Sequence, residues 1–199
     1  MKRDEDQFIA DLTKYIFEIK EDLTKIEENL NDTDCCILSN FEHLARLVTD
    51  IQTIASSYYL KSYLAPYTDE YIAISLAAQK LSEKRHGALI VVERTVPVAP
   101  LINNGIPIDA KISQPLLETI FYPGNPMHDG GTVIQNNSII SAGNILPLSN
   151  QSYQGRKLGT RHRAALGLSE QTDALILVVS EETGRISFAF EGALYVVKT

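Results

Sequence analysis

Two short stretches of the sequence combine residue types that handle polyphosphates. Residues 159–167, Gly-Thr-Arg-His-Arg-Ala-Ala-Leu-Gly, place three basic side chains and a hydroxyl directly after a glycine, where we expect a helix to begin. A helix start has unpaired backbone N–H groups and a positive dipole end, so it favours an anion, and arginine adds bidentate phosphate recognition. Residues 125–131, Asn-Pro-Met-His-Asp-Gly-Gly, place a carboxylate before glycines that let the backbone approach a ligand. Together the stretches predict polyphosphate chemistry with an acidic group nearby.

Both stretches resemble the signature of diadenylate cyclase domains, which carry an Asp-Gly-Ala element and an Arg-His-Arg element. The resemblance covers roughly residue 67 to the C-terminus, and further matching stretches lie at residues 146–149, 158–170 and 179–187. Gly131 stands where the family usually has alanine, a change that we expect to loosen the turn without removing the chemistry. The resemblance implies an enzyme, a nucleotidyltransferase that condenses two ATP molecules into cyclic di-AMP and two pyrophosphates.

Asp129 is the candidate catalytic residue, although an aspartate before glycine is often only a turn former. A ribose hydroxyl is a poor nucleophile at neutral pH, so a carboxylate that accepts or orients its proton promotes attack on the α-phosphate of a second ATP. Metal coordination by Asp129 stays open as an alternative. Nucleotidyl transfer needs a divalent cation, here expected to be manganese or magnesium. The resemblance favours His128 as a metal ligand over a polar turn residue, and Glu182 is a weaker metal candidate.

The remaining candidates are expected to contact the nucleotide. Successive helical residues point about 100° apart, so the basic cluster cannot all face one phosphate, and we place Thr160 and Arg161 nearest the triphosphate. Arg163 reaches either a neighbouring nucleotide or an acidic partner such as Glu181. The resemblance suggests that Leu146 packs on adenine, whereas its apolar character alone predicts a core residue. The full nucleotide-binding set is Gly130, Gly131, Leu146, Thr160, Arg161, His162, Arg163, Ser180 and Glu181.

The elements that position these residues form an α/β (α+β) fold, with a mixed β-sheet flanked by helices and preceded by a two-helix hairpin. Two apolar stripes at helical spacing, from Leu12 to Leu30 and from Leu44 to Tyr58, predict the hairpin. Thr68 is expected to cap a third helix that ends at the basic residues before Gly87. Short strands and a hairpin around residues 136–137 follow, with residues 106–112 as an edge strand. We therefore predict a helical domain over residues 1–64 and a catalytic domain over residues 67–199.

Charge and composition narrow the classes of partner. The net charge is −7, of which the first 34 residues carry −6, so the chain lacks the basic surface that non-specific nucleic-acid binding needs. The N-terminus is charged, and no apolar run reaches membrane-spanning length, so we expect a cytoplasmic protein without a membrane or nucleic-acid partner. The adjacent Cys35 and Cys36 cannot build a disulfide framework, and their role is open.

Cyclic di-AMP has twofold symmetry, so the simplest enzyme is a homo-oligomer in which two identical half-sites face each other. Short soluble cyclases of the sporulation-associated type have a similar two-helix N-terminus, and this resemblance suggests that residues 1–64 restrain activity or drive assembly. A plain structural extension is the alternative for the hairpin. For the whole chain, the alternatives are a non-catalytic nucleotide-binding signalling module and a structural helical oligomeriser.

Overall fold

The computed structural model describes residues 2–28, 37–103, 105–150 and 158–197. The chain divides into two compact units, one within Met1–Tyr59 and one within Leu60–Val197.

The N-terminal unit consists of two long helices, α1 (Lys2–Glu28) and α2 (Ile37–Leu64), and α2 continues into the second unit. Phe8 stacks on Tyr58 with ring centroids 4.0 Å apart, and His43 Nδ1 lies 2.6 Å from Asp22 Oδ2. These contacts tie the helices together, which confirms the predicted pair. The predicted turn at residues 31–34 and the two cysteines lie outside the described residues.

The second unit is built on one mixed sheet. Its described strands follow the order β2-β4-β3-β1-β5-β6-β7, in which β1 pairs with β3 in parallel and every other neighbouring pair is antiparallel. The elements in chain order are α3 (Tyr71–Glu83), β1 (Ala88–Val92), a short 3-10 turn (Ala99–Leu101), β2 (Ile106–Lys111), α4 (Gln114–Ile120), β3 (Gly131–Gln135), β4 (Ser138–Asn144), α5 (Thr160–Ser169), β5 (Leu175–Val179), β6 (Ile186–Phe190) and β7 (Ala193–Val196).

Helices cover both faces of this sheet because the central strands are apolar on both sides. All five residues of β1 are buried, and they alternate between two cores. Ile90 packs with α3 and α4, whereas Leu89 and Val91 pack with the apolar side of α5. The predicted mixed sheet with flanking helices is therefore confirmed.

Two local predictions have different outcomes. Residues of β2 lie at the edge of the sheet, as the proline at position 107 predicts, because proline cannot donate to a central ladder. The prediction that Thr68 caps α3 is wrong. The helix begins at Tyr71 without a side-chain cap, and Thr68 Oγ1 instead accepts a hydrogen bond from the Glu70 N–H and donates to Asn137 Oδ1. Thr68 therefore anchors the loop before the helix to the β3–β4 turn.

Candidate active site

Four strand ends bring the predicted site residues to one end of the sheet. Ala88 at the start of β1 pairs with Val179 at the end of β5, and Gly131 at the start of β3 pairs with Asn144 at the end of β4. Because β1 and β3 run parallel, their first residues lie at the same end of the sheet. The segments that enter or leave this end contain His128, Asp129, Gly130, Gly131, Leu146, Ser180, Glu181 and Glu182.

The turn that carries Asp129 depends on Gly130. Gly130 has φ +102°, a conformation that suits glycine, and a Cβ there would lie 2.5 Å from the Asn144 carbonyl oxygen. This close approach fixes the start of β3 against the end of β4. The Asp129 side chain is 87 % exposed, so the turn presents the carboxylate outward from the protomer.

Leu146 fills the space beside Gly131. A Cβ on Gly131 would lie 2.7 Å from Leu146 Cδ1, so Leu146 occupies the place that an alanine methyl would take. Leu146 is 5 % exposed and belongs to the core on the α5 side of the sheet. This position matches the core interpretation of Leu146, and an adenine contact stays a prediction.

His128 is held in one orientation by the turn. Its Nδ1 lies 2.6 Å from the Asn125 carbonyl oxygen, which can only accept, so Nδ1 carries the proton. In the neutral ring, Nε2 then has a free lone pair, the form that binds a metal ion. Nε2 lies 3.8 Å from Asp129 Oδ1, a separation too long for a hydrogen bond. A histidine lone pair and a carboxylate therefore flank one small gap.

Arg161 connects α5 to the two carboxylates at this end of the sheet. Its Nη1 donates to Glu181 Oε2 over 2.7 Å, and its Nη2 lies 3.8 Å from Asp129 Oδ1. A Cβ on Gly87 would overlap the Arg161 guanidinium, so the missing side chain there gives the arginine its place. The site thus holds one fixed positive charge between two acidic groups.

The rest of the basic cluster divides between exposed and structural positions. Gly159 precedes α5 in an extended conformation, and Thr160 is exposed at the first helical position. Arg163 Nε donates to the Ser149 carbonyl over 3.1 Å, and the Ser149 N–H donates back to the Arg163 carbonyl. Arg163 therefore braces the backbone at Ser149, and the acidic partner suggested for it, Glu181, pairs with Arg161 instead.

His162 is half-buried on α5. Burial lowers the pKa of the His162 imidazole, while the Glu182 charge raises this pKa and the Arg185 charge lowers it. The net shift is downward, so the ring is neutral near pH 7. Glu182 is exposed in the β5–β6 turn, and its charge acts on the His162 imidazole.

Ser180 holds the turn after β5 in shape. Its Oγ accepts a hydrogen bond from the Thr183 N–H, and its backbone N–H donates to the Arg185 carbonyl. Glu181 projects from this turn toward Arg161, with its side chain 65 % exposed. Within the described part of the chain, no three His, Cys, Asp or Glu side chains cluster as a metal site.

Sequence reasoning missed three residues that shape the site, namely Gly87, Asn125 and Ser149. The sequence predicts that α3 ends at the basic residues before Gly87, and Arg85 among them takes the left-handed conformation, with φ 53°. The signals for the other two residues were weak, because an Asn before Pro and a Ser after Leu are common in loops. Only the folded chain shows that their carbonyl groups hold His128 and Arg163.

Two family models match this chain. Residues 75–194 match the family model described as "DisA bacterial checkpoint controller nucleotide-binding". Residues 1–67 match the one described as "Diadenylate cyclase CdaS, N-terminal". The chain belongs to the diadenylate cyclase family. It is 52 % identical to diadenylate cyclase CdaS from Bacillus thuringiensis, over 93 % of this chain and 92 % of that protein.

A second relative and a solved structure are also similar over most of the chain. Cyclic di-AMP synthase CdaS from Bacillus subtilis is 47 % identical over 96 % of this chain and 92 % of its own length. A crystal structure of a protein described as a hypothetical membrane spanning protein from Bacillus cereus superimposes with a TM-score of 0.80 at 46 % identity, over 98 % of this chain and 95 % of that one. In the present chain, no helix of the described segments is long and apolar enough to cross a bilayer.

Proposed function

We propose that this chain is a diadenylate cyclase that condenses two ATP molecules into cyclic di-AMP and two pyrophosphates across two facing half-sites. Each subunit binds one ATP and presents its ribose 3′-hydroxyl to the α-phosphate held by the other. The same patch then meets itself across a twofold axis, which is the symmetry of the product.

The exposure of Asp129 is the observation that carries this proposal. Its carboxylate lies 3.8 Å from both the Arg161 guanidinium and His128 Nε2, yet its side chain is 87 % exposed. A group that acts on a weak nucleophile works best where bulk water is excluded. One protomer leaves Asp129 open to water. A second copy, which carries the other ATP, covers Asp129 and excludes that water.

The start of α5 is the proposed triphosphate site. Its first N–H groups have no acceptor within the helix, and Thr160 adds an exposed hydroxyl beside them. The Arg161 guanidinium donates two hydrogen bonds to the phosphates. It does so either after leaving the Glu181 carboxylate or while still in contact with it. Gly130 and Gly131 let the turn that carries Asp129 pack against β4 and Leu146, so that the nucleotide meets Asp129 beside it. His162, Ser180 and Glu181 line the proposed nucleotide site, and Arg163 holds the backbone at Ser149. Leu146 supports the base from within the core.

Asp129 acts on the nucleophile in the proposed step. Its carboxylate accepts the proton of the 3′-hydroxyl as the 3′-oxygen bonds to the α-phosphorus of the facing ATP. The bond between the α-phosphorus and the bridging oxygen breaks, and pyrophosphate leaves with the electron pair. Arg161 stabilises the negative charge that develops on the phosphates. The same step in the opposite direction closes the ring.

The donor set of the site fits a divalent cation, for which we propose manganese or magnesium. His128 Nε2 and Asp129 Oδ1 lie 3.8 Å apart, within the about 4.2 Å that two ligands can span when each is about 2.1 Å from one ion. Such ions commonly take few protein ligands and complete their shell with phosphates and water. When bound, the ion neutralises charge on the triphosphate. Glu182 is the weaker candidate, because its charge acts on the His162 imidazole.

We further propose that residues 1–64 form a regulatory or oligomerising element and residues 67–199 the catalytic domain of a cytoplasmic homo-oligomer. Exposed apolar side chains on α1 support this role, since Ile16 and Leu23 of its stripe are 44 % and 48 % exposed. The end of α2 also serves the catalytic unit. Leu64 is fully buried in its core, so a shortened chain needs to keep residues from Leu60 onward.

The experiment is incubation of the full chain, and of a chain that starts at Leu60, with ATP and manganese or magnesium. Mass-resolved chromatography measures cyclic di-AMP, and a coupled assay measures pyrophosphate. We expect two pyrophosphates per cyclic di-AMP, no product when EDTA removes the cation, and faster synthesis by the shortened chain.

Two results would count against these assignments. ATP binding without product by either chain would leave a nucleotide-binding signalling module. A folded shortened chain that is no faster than the full chain would remove the restraining role of the N-terminal helices while leaving the cyclase intact.

A further inference from the structure

Asn125 fastens the segment between α4 and Asp129 at several points. Its side-chain Oδ1 accepts from the Met127 N–H over 3.0 Å, and its Nδ2 donates to the Thr119 carbonyl over 2.8 Å. Its own backbone N–H donates to the Tyr122 carbonyl. The Asn125 carbonyl group is therefore fixed in direction by bonds on both sides of its Cα.

That fixed carbonyl accepts two hydrogen bonds from a single residue. The His128 backbone N–H donates to it over 3.0 Å, and His128 Nδ1 lies 2.6 Å from the same oxygen. The first bond fixes the backbone of His128 in the turn, and the second fixes the rotation of its imidazole ring. Because a carbonyl cannot donate, the second bond also selects the tautomer with the proton on Nδ1.

We infer that Asn125 is a positioning residue that fixes His128 in the Nδ1–H tautomer and directs Nε2 toward the gap beside Asp129. Oriented ligands of this kind need a partner on the ring nitrogen that does not face the ion. Here Asn125 supplies that partner through its backbone, and its side chain keeps the backbone in place. The expected effect of Asn125 on cation binding and catalysis rests on the proposed function. The tautomer of His128 follows from the hydrogen bonds alone.

Nitrogen-15 NMR of the histidine rings tests this inference directly. Four histidines are present, and comparison with His128→Gln assigns the His128 signals. Spectra are recorded with EDTA near pH 8.5, well above the ordinary histidine pKa of about 6.5, so that the rings are neutral. The wild-type protein is expected to show a protonated Nδ1 and an unprotonated Nε2 for His128.

Asn125→Ala removes both side-chain bonds and is expected to give a mixture of the two tautomers. Asn137→Ala is the matched control. Asn137 also braces a turn through its side chain, accepting from the Asp69 N–H and donating to Asp69 Oδ2, but it lies at the opposite end of β3. The control should keep the wild-type tautomer. Asn125→Asp, which retains the acceptor for Met127, should keep it as well.

Three results would overturn the inference: an Nε2–H tautomer in the wild-type protein, an unchanged tautomer in Asn125→Ala, or an equal change in Asn137→Ala. In the cyclase assay, Asn125→Ala should weaken the apparent affinity for manganese about 10- to 100-fold, the usual effect of losing such a partner. If the wild-type chain forms no cyclic di-AMP, the proposed function fails, and the NMR result still decides the role of Asn125.

Discussion

Asp129→Asn is expected to lower the rate of cyclic di-AMP synthesis by about 10²- to 10⁴-fold, the range that general-base catalysis contributes. An amide has the same shape as the carboxylate but cannot accept the proton of the 3′-hydroxyl. ATP binding measured in EDTA should stay close to the wild-type value, because Arg161 and the start of α5 are unchanged. The side chain is 87 % exposed, so the free energy of unfolding should change by less than about 0.5 kcal/mol. Initial rates, ATP titration and denaturant unfolding measure the three quantities.

Asp109→Asn is the matched control for this substitution. Asp109 is an exposed aspartate of β2, outside the site, and its left-handed φ of 47° is one that asparagine adopts readily. The control should retain full activity. A rate for Asp129→Asn within about tenfold of the wild-type rate would be too small an effect for the proposed proton acceptor.

Gly130→Ala is expected to destabilise the catalytic unit by about 3 kcal/mol or more, and to abolish activity with it. Two effects combine at this position. An L-residue at φ +102° is strained, and its Cβ would lie 2.5 Å from the Asn144 carbonyl oxygen and 2.7 Å from the Gly143 carbonyl carbon. These neighbours are backbone atoms of β4, which cannot move without disturbing the sheet. Denaturant unfolding without nucleotide measures the loss.

Two other glycines distinguish the cost of backbone strain from the cost of steric overlap. Gly124 has φ +91° but nothing within 4 Å of its Cβ position, so Gly124→Ala should cost only the strain, about 1 kcal/mol. Gly159 has φ −65° and equally open surroundings, so Gly159→Ala should stay within about 0.5 kcal/mol of wild type. If Gly130→Ala lowered the free energy of unfolding no more than Gly124→Ala does, the close approach of β3 to β4 would make no contribution to stability.

The elements of the fold could be predicted because their signals are local. The unbroken apolar run of β1 predicts a strand buried on both faces, and the glycine before Thr160 predicts the start of α5. The turn at Asn136, whose φ is 53°, follows from the residues that tolerate this conformation. In each case the decisive residues are within a few positions of the feature.

Side-chain partners could not be predicted because they depend on how distant segments meet. Arg161 pairs with Glu181, which follows a different strand, and Arg163 turns to the Ser149 carbonyl. The helical spacing indicates that neighbouring side chains point in different directions. What each side chain faces becomes fixed only when α5 packs on the sheet. Thr68 shows the same limit, because its hydroxyl bonds to Asn137 across the fold rather than capping the nearby helix.

Co-production of the wild-type chain with Asp129→Asn, in equal amounts, tests most directly whether two half-sites share each reaction. If two chains combine at random, about a quarter of the pairs contain two functional carboxylates and about half contain one. We predict that cyclic di-AMP synthesis falls to about a quarter of that of the same total amount of wild-type protein. Mixed pairs should form one of the two bonds and release the linear dinucleotide that still carries a triphosphate. A fall to only about a half, with no linear product, would mean that each chain acts alone and would contradict the facing half-sites.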